Sequence, residues 1–434
     1  MAVYGPIRRA PTLLLLFWAF SLCSQTQPAQ PASAARQLRV GSNFPGGSAR
    51  VLSIDPTNNS VCITPAGIPN RGWPCWWYLR LDGVDTNQPV VLEVVANEAI
   101  VQTDDPGQTR KLPANWSLPA QAAFSTDGMT WEHTAPGERR GSRSVYRVNS
   151  APRTLWLAWG PPFTLKDANQ LVQRACELSP YAKSFEFARS RDGRPVPALR
   201  VSQPGAVADQ RFGVWIQARQ HAWESGSSWV CRGFVEWLVS NDPAAESLRQ
   251  KADIVVIPIV DVDSVERGQG GKDQIPHDHD LDWGSAPYWP EVRAGMDQIS
   301  ALAGAGRLDL FLDLHNPSCD DRTIMFYIPP VPLLSPARVE NEDAFLKIAR
   351  EQMNGPIPYI GKIGPCGNTY DPAVDKSVDA WVAHQSRPQV VSLTMETPWN
   401  ISASTPSGYL RVGEQLGRCI ELYLRAPIRS NPEK

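Results

Sequence analysis

The chain has 434 residues, of which 42% are hydrophobic and 20% charged, and its formal net charge is −2. This is a globular composition, long enough for two domains, and it excludes a disordered or membrane-embedded class. A near-neutral balance offers no basic face to a phosphate backbone, so nucleic acid is not an expected partner.

The first element reads as an export signal over residues 1–34. Arg8 and Arg9 precede an apolar run, Thr12-Leu-Leu-Leu-Leu-Phe-Trp-Ala-Phe-Ser-Leu22, and Ala32-Ser-Ala34 supplies a small-x-small cleavage site. The run is too short for a stable bilayer helix, so a secreted or periplasmic chain with no stable membrane span is expected after cleavage.

Residues 37–160 follow a different rhythm. Short runs such as Trp76–Leu81, Val90–Val95, Ser144–Val148 and Thr154–Trp159 alternate apolar with polar side chains between turn residues. That pattern predicts an antiparallel β-sandwich domain. After Gly160-Pro-Pro, helical periodicity alternates with buried apolar runs. Residues 161–428 are therefore expected to form an α/β domain with a mixed, wound central sheet flanked by helices. Helices are predicted over Leu165–Leu178, Ser227–Ser240 and Ser407–Leu424. Seven cysteines follow the leader. Export permits disulfides, with Cys62–Cys75 and Cys319–Cys366 the candidate pairs, while Cys176, Cys231 and Cys419 read as buried thiols.

Chemistry-bearing residues gather where three apolar runs stop. Val214-Trp-Ile-Gln-Ala-Arg-Gln-His221-Ala-Trp-Glu224, Leu308-Asp-Leu-Phe-Leu-Asp-Leu-His315 and Val390-Val-Ser-Leu-Thr-Met-Glu396 each end on an imidazole or a carboxylate. In open α/β sheets, ligands bind beyond the carboxyl ends of the strands. His221, Glu224 and His315 make a His2Glu ligand set for Zn2+, leaving one position for water. Glu396 is placed to act as general base on that water. Each residue alone has an ordinary explanation: a strand-end histidine is usually a structural hydrogen-bonder, and Glu224 could cap the next helix. Their convergence is what carries the reading.

These motifs resemble the zinc carboxypeptidase family. Ala218-Arg-Gln-His-Ala-Trp-Glu-Ser-Gly-Ser-Ser-Trp229 and Thr394-Met-Glu396 are most similar to the cytosolic-type carboxypeptidases, which also carry a β-sandwich before the peptidase domain. The resemblance implies zinc on His221, Glu224 and His315, with Glu396 as base. It places Asp278, in Pro276-His-Asp-His-Asp-Leu-Asp-Trp283, behind the first zinc histidine. It also suggests Tyr370 as the tyrosine that caps the substrate. Oxyanion stabilisation falls to Arg267 or Lys272, with Lys272 preferred for its nearness to the Asp278 motif. The departure lies at Asp280-Leu281, where the family has an Asn-Arg pair to clasp a terminal carboxylate. Leucine cannot make such paired charge-assisted bonds. Either Arg322 supplies the charge from another direction, or the substrate lacks a free carboxylate there. Asp280, Leu281 and Arg322 are thus the substrate-binding candidates. The expected activity is hydrolysis of a peptide; the alternatives are cleavage of an acyl-amino acid amide or ester on the same scaffold, or non-catalytic zinc binding.

Overall fold

The computed structural model describes residues 37–67, 73–102, 108–204, 211–272, 276–372 and 375–425. The export signal expected over residues 1–34 lies outside these. From Gln37 onward the chain clusters as one compact unit.

Two five-stranded sheets occupy the first part. One runs in the order 39–41, 78–82, 154–158, 123–125, 132–133, and the other 138–140, 143–148, 90–95, 60–64, 50–55. Strand Val90–Val95 alternates buried with half-buried residues, as a sheet with one covered face requires. The Trp77 and Tyr146 rings, one from each sheet's side, lie 6.0 Å apart in the shared core. One detail departs from the antiparallel expectation: Ser60–Thr64 pairs with Val90–Val95 in parallel. Strand Arg50–Asp55 closes the second sheet at one edge and is exposed throughout.

The second part is an eight-stranded mixed sheet in the order 182–189, 195–201, 252–257, 212–218, 310–315, 391–396, 324–328, 359–365. Its four middle strands, from 252–257 to 391–396, are mutually parallel. Strands Ala252–Ile257 and Leu310–His315 are buried at every residue, because helices cover both faces of a parallel sheet. Helix Leu165–Leu178 begins where predicted. The Asp167 carboxylate accepts the Thr164 N–H at 2.7 Å, and Asp and Thr here form the reciprocal cap that fixes a helix start. Helices Ser225–Leu238 and Pro406–Arg425 pack through glycines; a Cβ on Gly413 would lie 2.1 Å from the Val230 carbonyl oxygen.

Tryptophans join the two parts. Trp159 lies 3.9 Å from Trp399 and 5.6 Å from Trp223, and Trp116 lies 5.2 Å from Trp223. The backbone adds ties, with Trp73 N–H donating to Gly271 O and Gly46 N–H to Glu266 O. Gly270 makes this approach possible, since a Cβ there would sit 1.8 Å from the Trp73 carbonyl oxygen. Every described cysteine is a free thiol. The proposed Cys319–Cys366 pair is absent, with the Cys366 thiol turned to the Asp379 carboxylate instead, and Cys62 and Cys75 are likewise unpaired.

Candidate metal centre

The parallel register brings the predicted residues together. His315 and Glu396 are the final residues of neighbouring strands and are direct Cα partners. His221 and Glu224 follow strand Phe212–Ala218 on the other side of His315. The turn between is tight: Arg219 adopts a left-handed φ of 69°, and its buried guanidinium donates to the Ala222 carbonyl at 2.7 Å. Glu224 then starts helix Ser225–Leu238, so the carboxylate is held between a strand end and a helix start.

Glu224 presents one oxygen to each ring. Oε1 lies 2.9 Å from His221 Nδ1 and Oε2 lies 2.9 Å from His315 Nδ1. All three side chains are buried, and their ligand atoms fall within 4.8 Å of one another. Two imidazoles and a carboxylate at this spacing fit the donor set and number that zinc takes in catalytic sites. The distal ring nitrogens face carboxylates: His315 Nε2 is 2.8 Å from Asp313 Oδ2, and His221 Nε2 is 3.6 Å from Asp278 Oδ1. Such partners fix the tautomer that offers Nδ1 to a metal.

The electrostatics follow from crowding charges away from water. Burial opposes charge on His221, yet Glu224 and Asp278 outweigh it and push the ring up to about 10. Burial likewise opposes His315, but Asp313 and Glu224 raise it well above the usual imidazole value. Glu224, against its own desolvation, is pulled down to about 2 by the two rings. Asp278 overcomes burial through His221 and Lys272 and lies below the usual carboxylate range. Glu396 goes the other way: burial, then Glu224 and Asp280, drive it up to about 8 against the two histidines. Asp280 rises to about 6, chiefly by burial. Opposed shifts of this kind cluster at functional sites.

The remaining candidates divide. Lys272 has a left-handed φ of 56°, stands over the Trp73 ring at 5.4 Å and acts electrostatically on both His221 and Asp278. Arg267 is instead ion-paired with Asp192. Arg322 is exposed and donates to the Asn400 carbonyl. Tyr370 has its ring 5.3 Å from His384 and lines a cavity of about 310 Å3 with Trp283, Trp381 and Asp375, a lining that contains none of the three metal candidates. Asp280 lies beside the group, within 4.8 Å of ligand atoms of Asp313 and His315. The Leu281 N–H donates to Asp278 Oδ1 at 3.1 Å. Two further residues escaped sequence reasoning. Asp313 and Gln220 stand inside the quoted motifs, but the signal that marks them, a polar side chain within a wholly buried strand or strand end, identifies no partner.

Comparisons with known proteins agree with this geometry. Residues 169–285 match the family model described as zinc carboxypeptidase. The matched segment contains His221, Glu224 and Asp278, while His315 and Glu396 lie beyond it. An uncharacterized protein of Zymomonas mobilis is 23% identical over 307 residues, covering 69% of this chain and 73% of that one. Cytosolic carboxypeptidase 1 of Danio rerio is 26% identical over 185 residues, covering 39% of this chain and 16% of its own length. This chain therefore spans a small part of the cytosolic carboxypeptidases it matches. A metallo-carboxypeptidase structure from Burkholderia cenocepacia superposes with a TM-score of 0.72 at 22% identity, covering 90% of this chain and 99% of that one. One from Pseudomonas aeruginosa gives 0.71 at 20%, covering 89% and 100%. These two likenesses show the fold, including its sheet-rich first part.

Proposed function

We propose that the chain is an exported zinc-dependent hydrolase that cleaves peptide bonds in the manner of a metallocarboxypeptidase, with Glu396 as general base. The observation that carries this reading is the strand register, which pairs Glu396 directly with His315. Zinc held by His221, Glu224 and His315 would acidify a water molecule and polarise the scissile carbonyl. Asp313 holds the His315 ring through Nε2 at 2.8 Å with Nδ1 facing Glu224, and Asp278 stands 3.6 Å from Nε2 of His221. Glu396 takes the proton from the attacking water and delivers it to the leaving amine. Lys272 is the proposed stabiliser of the developing oxyanion, since its charge already reaches His221 and Asp278.

A second reading, an amidohydrolase or deacylase acting on acyl-amino acids or modified peptides, is favoured by one observation. Asp280 and Leu281 stand beside the metal group and supply no cation for a terminal carboxylate. Product masses from zinc-loaded protein distinguish the two: release of single C-terminal residues supports the first, release of acyl groups the second. Glu396→Gln should retain stoichiometric zinc and lose turnover, because an amide cannot accept the proton. Undiminished activity in that variant would remove the base assignment. Export is tested by the mature N-terminus of the expressed chain, expected just after Ala34.

A further inference from the structure

Asp280 is partly exposed, so an incoming molecule can reach it, yet its direction is fixed. Gln220 Nε2 donates to Asp280 Oδ1 at 3.1 Å and to Asp313 Oδ2 at 2.5 Å. The amide cannot be turned over, because its Oε1 accepts the Trp283 indole N–H at 3.0 Å. Gln220 is fully buried and Trp283 nearly so. One amide thus aligns the carboxylate behind His315 and the partly exposed carboxylate of Asp280.

With the two rings as neutral ligands, the two positive charges of a bound zinc are set against the carboxylates of Glu224, Asp313, Asp278 and Glu396, so the surroundings of Asp280 stay negative. Besides His315 and His221, Asp313 and Asp278 act on it. The Cys366 thiol donates to the Asp379 carboxylate at 2.5 Å and also feels the charges of Asp280 and Glu396. The carboxylates of Glu396 and Asp313 each keep one buried oxygen, Oε2 and Oδ1, with no hydrogen-bond partner. Leu281 has no side-chain donor, Arg322 is committed to Asn400, and Lys272 acts from the His221–Asp278 side. A cation entering here meets an oriented acceptor, whereas a carboxylate meets repulsion in a poorly solvated place.

We propose that Asp280 is the specificity-determining residue of this site, selecting substrates whose leaving amine bears an ammonium or guanidinium group and no free carboxylate, with Gln220 as its positioning residue. This rests on the hydrolase reading above, and its test separates the two. Zinc-loaded full-length protein is assayed on benzoyl-glycyl-X-amides with X = Lys, Arg, Leu and Glu. The Lys and Arg substrates should exceed Leu by about 10- to 100-fold in kcat/KM, the range expected for one charge-assisted bond, with Glu slowest. Asp280→Asn and Asp280→Ser should bring the Lys/Leu ratio close to one. Gln220→Leu should raise KM for the Lys substrate more than it lowers kcat, a split that general loosening of the fold would not give. Equal rates for Lys and Leu amides overturn the inference and leave the hydrolase reading intact. Binding is read in parallel by calorimetry, using Nα-acetyl-lysine amide and Nα-acetyl-norleucine amide on zinc-loaded protein. No cleavage together with cation-preferring binding removes the hydrolase reading and keeps the recognition; equal binding of the two amides overturns the recognition.

Discussion

At the scale of single residues, the site is organised by who faces each histidine. His221 and His315 each have a carboxylate on either side, so in the metal-free protein both rings hold their protons well above the ordinary imidazole range. Zinc takes only the deprotonated nitrogen, so loading at pH 7 must release roughly two protons, and affinity should climb as pH rises towards 10. Calorimetry in buffers of different ionisation enthalpy measures that number directly; no proton release would mean the rings are neutral before metal arrives. Removing the carboxylate behind His315 has a separate effect. Asp313→Asn should weaken zinc binding by about 10- to 100-fold, the range typical for loss of such a partner, while far-UV dichroism stays unchanged. Competition with a chromophoric chelator reads this. The gathering of His221, Glu224, His315 and Glu396 was legible in the sequence, because each stands at or just beyond the end of an apolar run. Asp313 and Gln220 were not, because their function depends on which atoms they face across strands far apart in the chain.

Individual elements show where stability is set. Helix Pro336–Gln352 buries Glu342, whose carboxyl is driven up to about 8 mainly by desolvation, against the pull of Arg338. A carboxyl raised on folding is protonated in the native state while the unfolded chain has already ionised. Its contribution is therefore fully present below the unfolded value near 4.5 and is lost as pH rises through about 8. Glu342→Gln should flatten that decline and raise stability at pH 8.5 by about 1–3 kcal/mol, measured by urea unfolding at pH 5 and 8.5. The close helix pair is less forgiving. Gly413→Val would drive a side chain into the Val230 carbonyl and should cost several kcal/mol, about the range for overpacking or more, read as a lower melting temperature. The helix start at Leu165 was readable in the sequence and is fixed by Thr164 and Asp167, whereas the helix expected from Ser227 begins at Ser225. The parallel Ser60–Thr64 pairing was not, because strand alternation reveals which face is buried and nothing about the neighbour's direction.

The whole molecule behaves as one body from Gln37 onward, although composition suggests a boundary near residue 160. The reason is the tryptophan cluster, which takes Trp116 and Trp159 from the first part and Trp223 and Trp399 from the second. Trp223 lies between His221 and Glu224, so packing in the sheet-rich part bears on the metal loop. Trp159→Ala should destabilise the protein by about 3–5 kcal/mol, as for a buried aromatic, and also weaken zinc binding. A fragment beginning at residue 161 should fail to give a cooperative thermal transition; if it folds and binds zinc normally, the first part is an accessory. Sequence showed both parts and their order. It could not show their fusion, because a tryptophan in a loop reads the same whether it meets solvent or another ring.

The pairing of His315 with Glu396 across adjacent strands has a consequence for what this scaffold can tolerate. Their separation is set by one rung of a hydrogen-bonded ladder, and slipping that ladder by a single residue would turn Glu396 to the opposite face. Everything spliced between the two strands, whether a lengthened loop or a grafted helix, leaves the rung unchanged so long as the ladder closes. Recognition can thus be rebuilt around the edge of the sheet while the spacing of His315 and Glu396 stays the same.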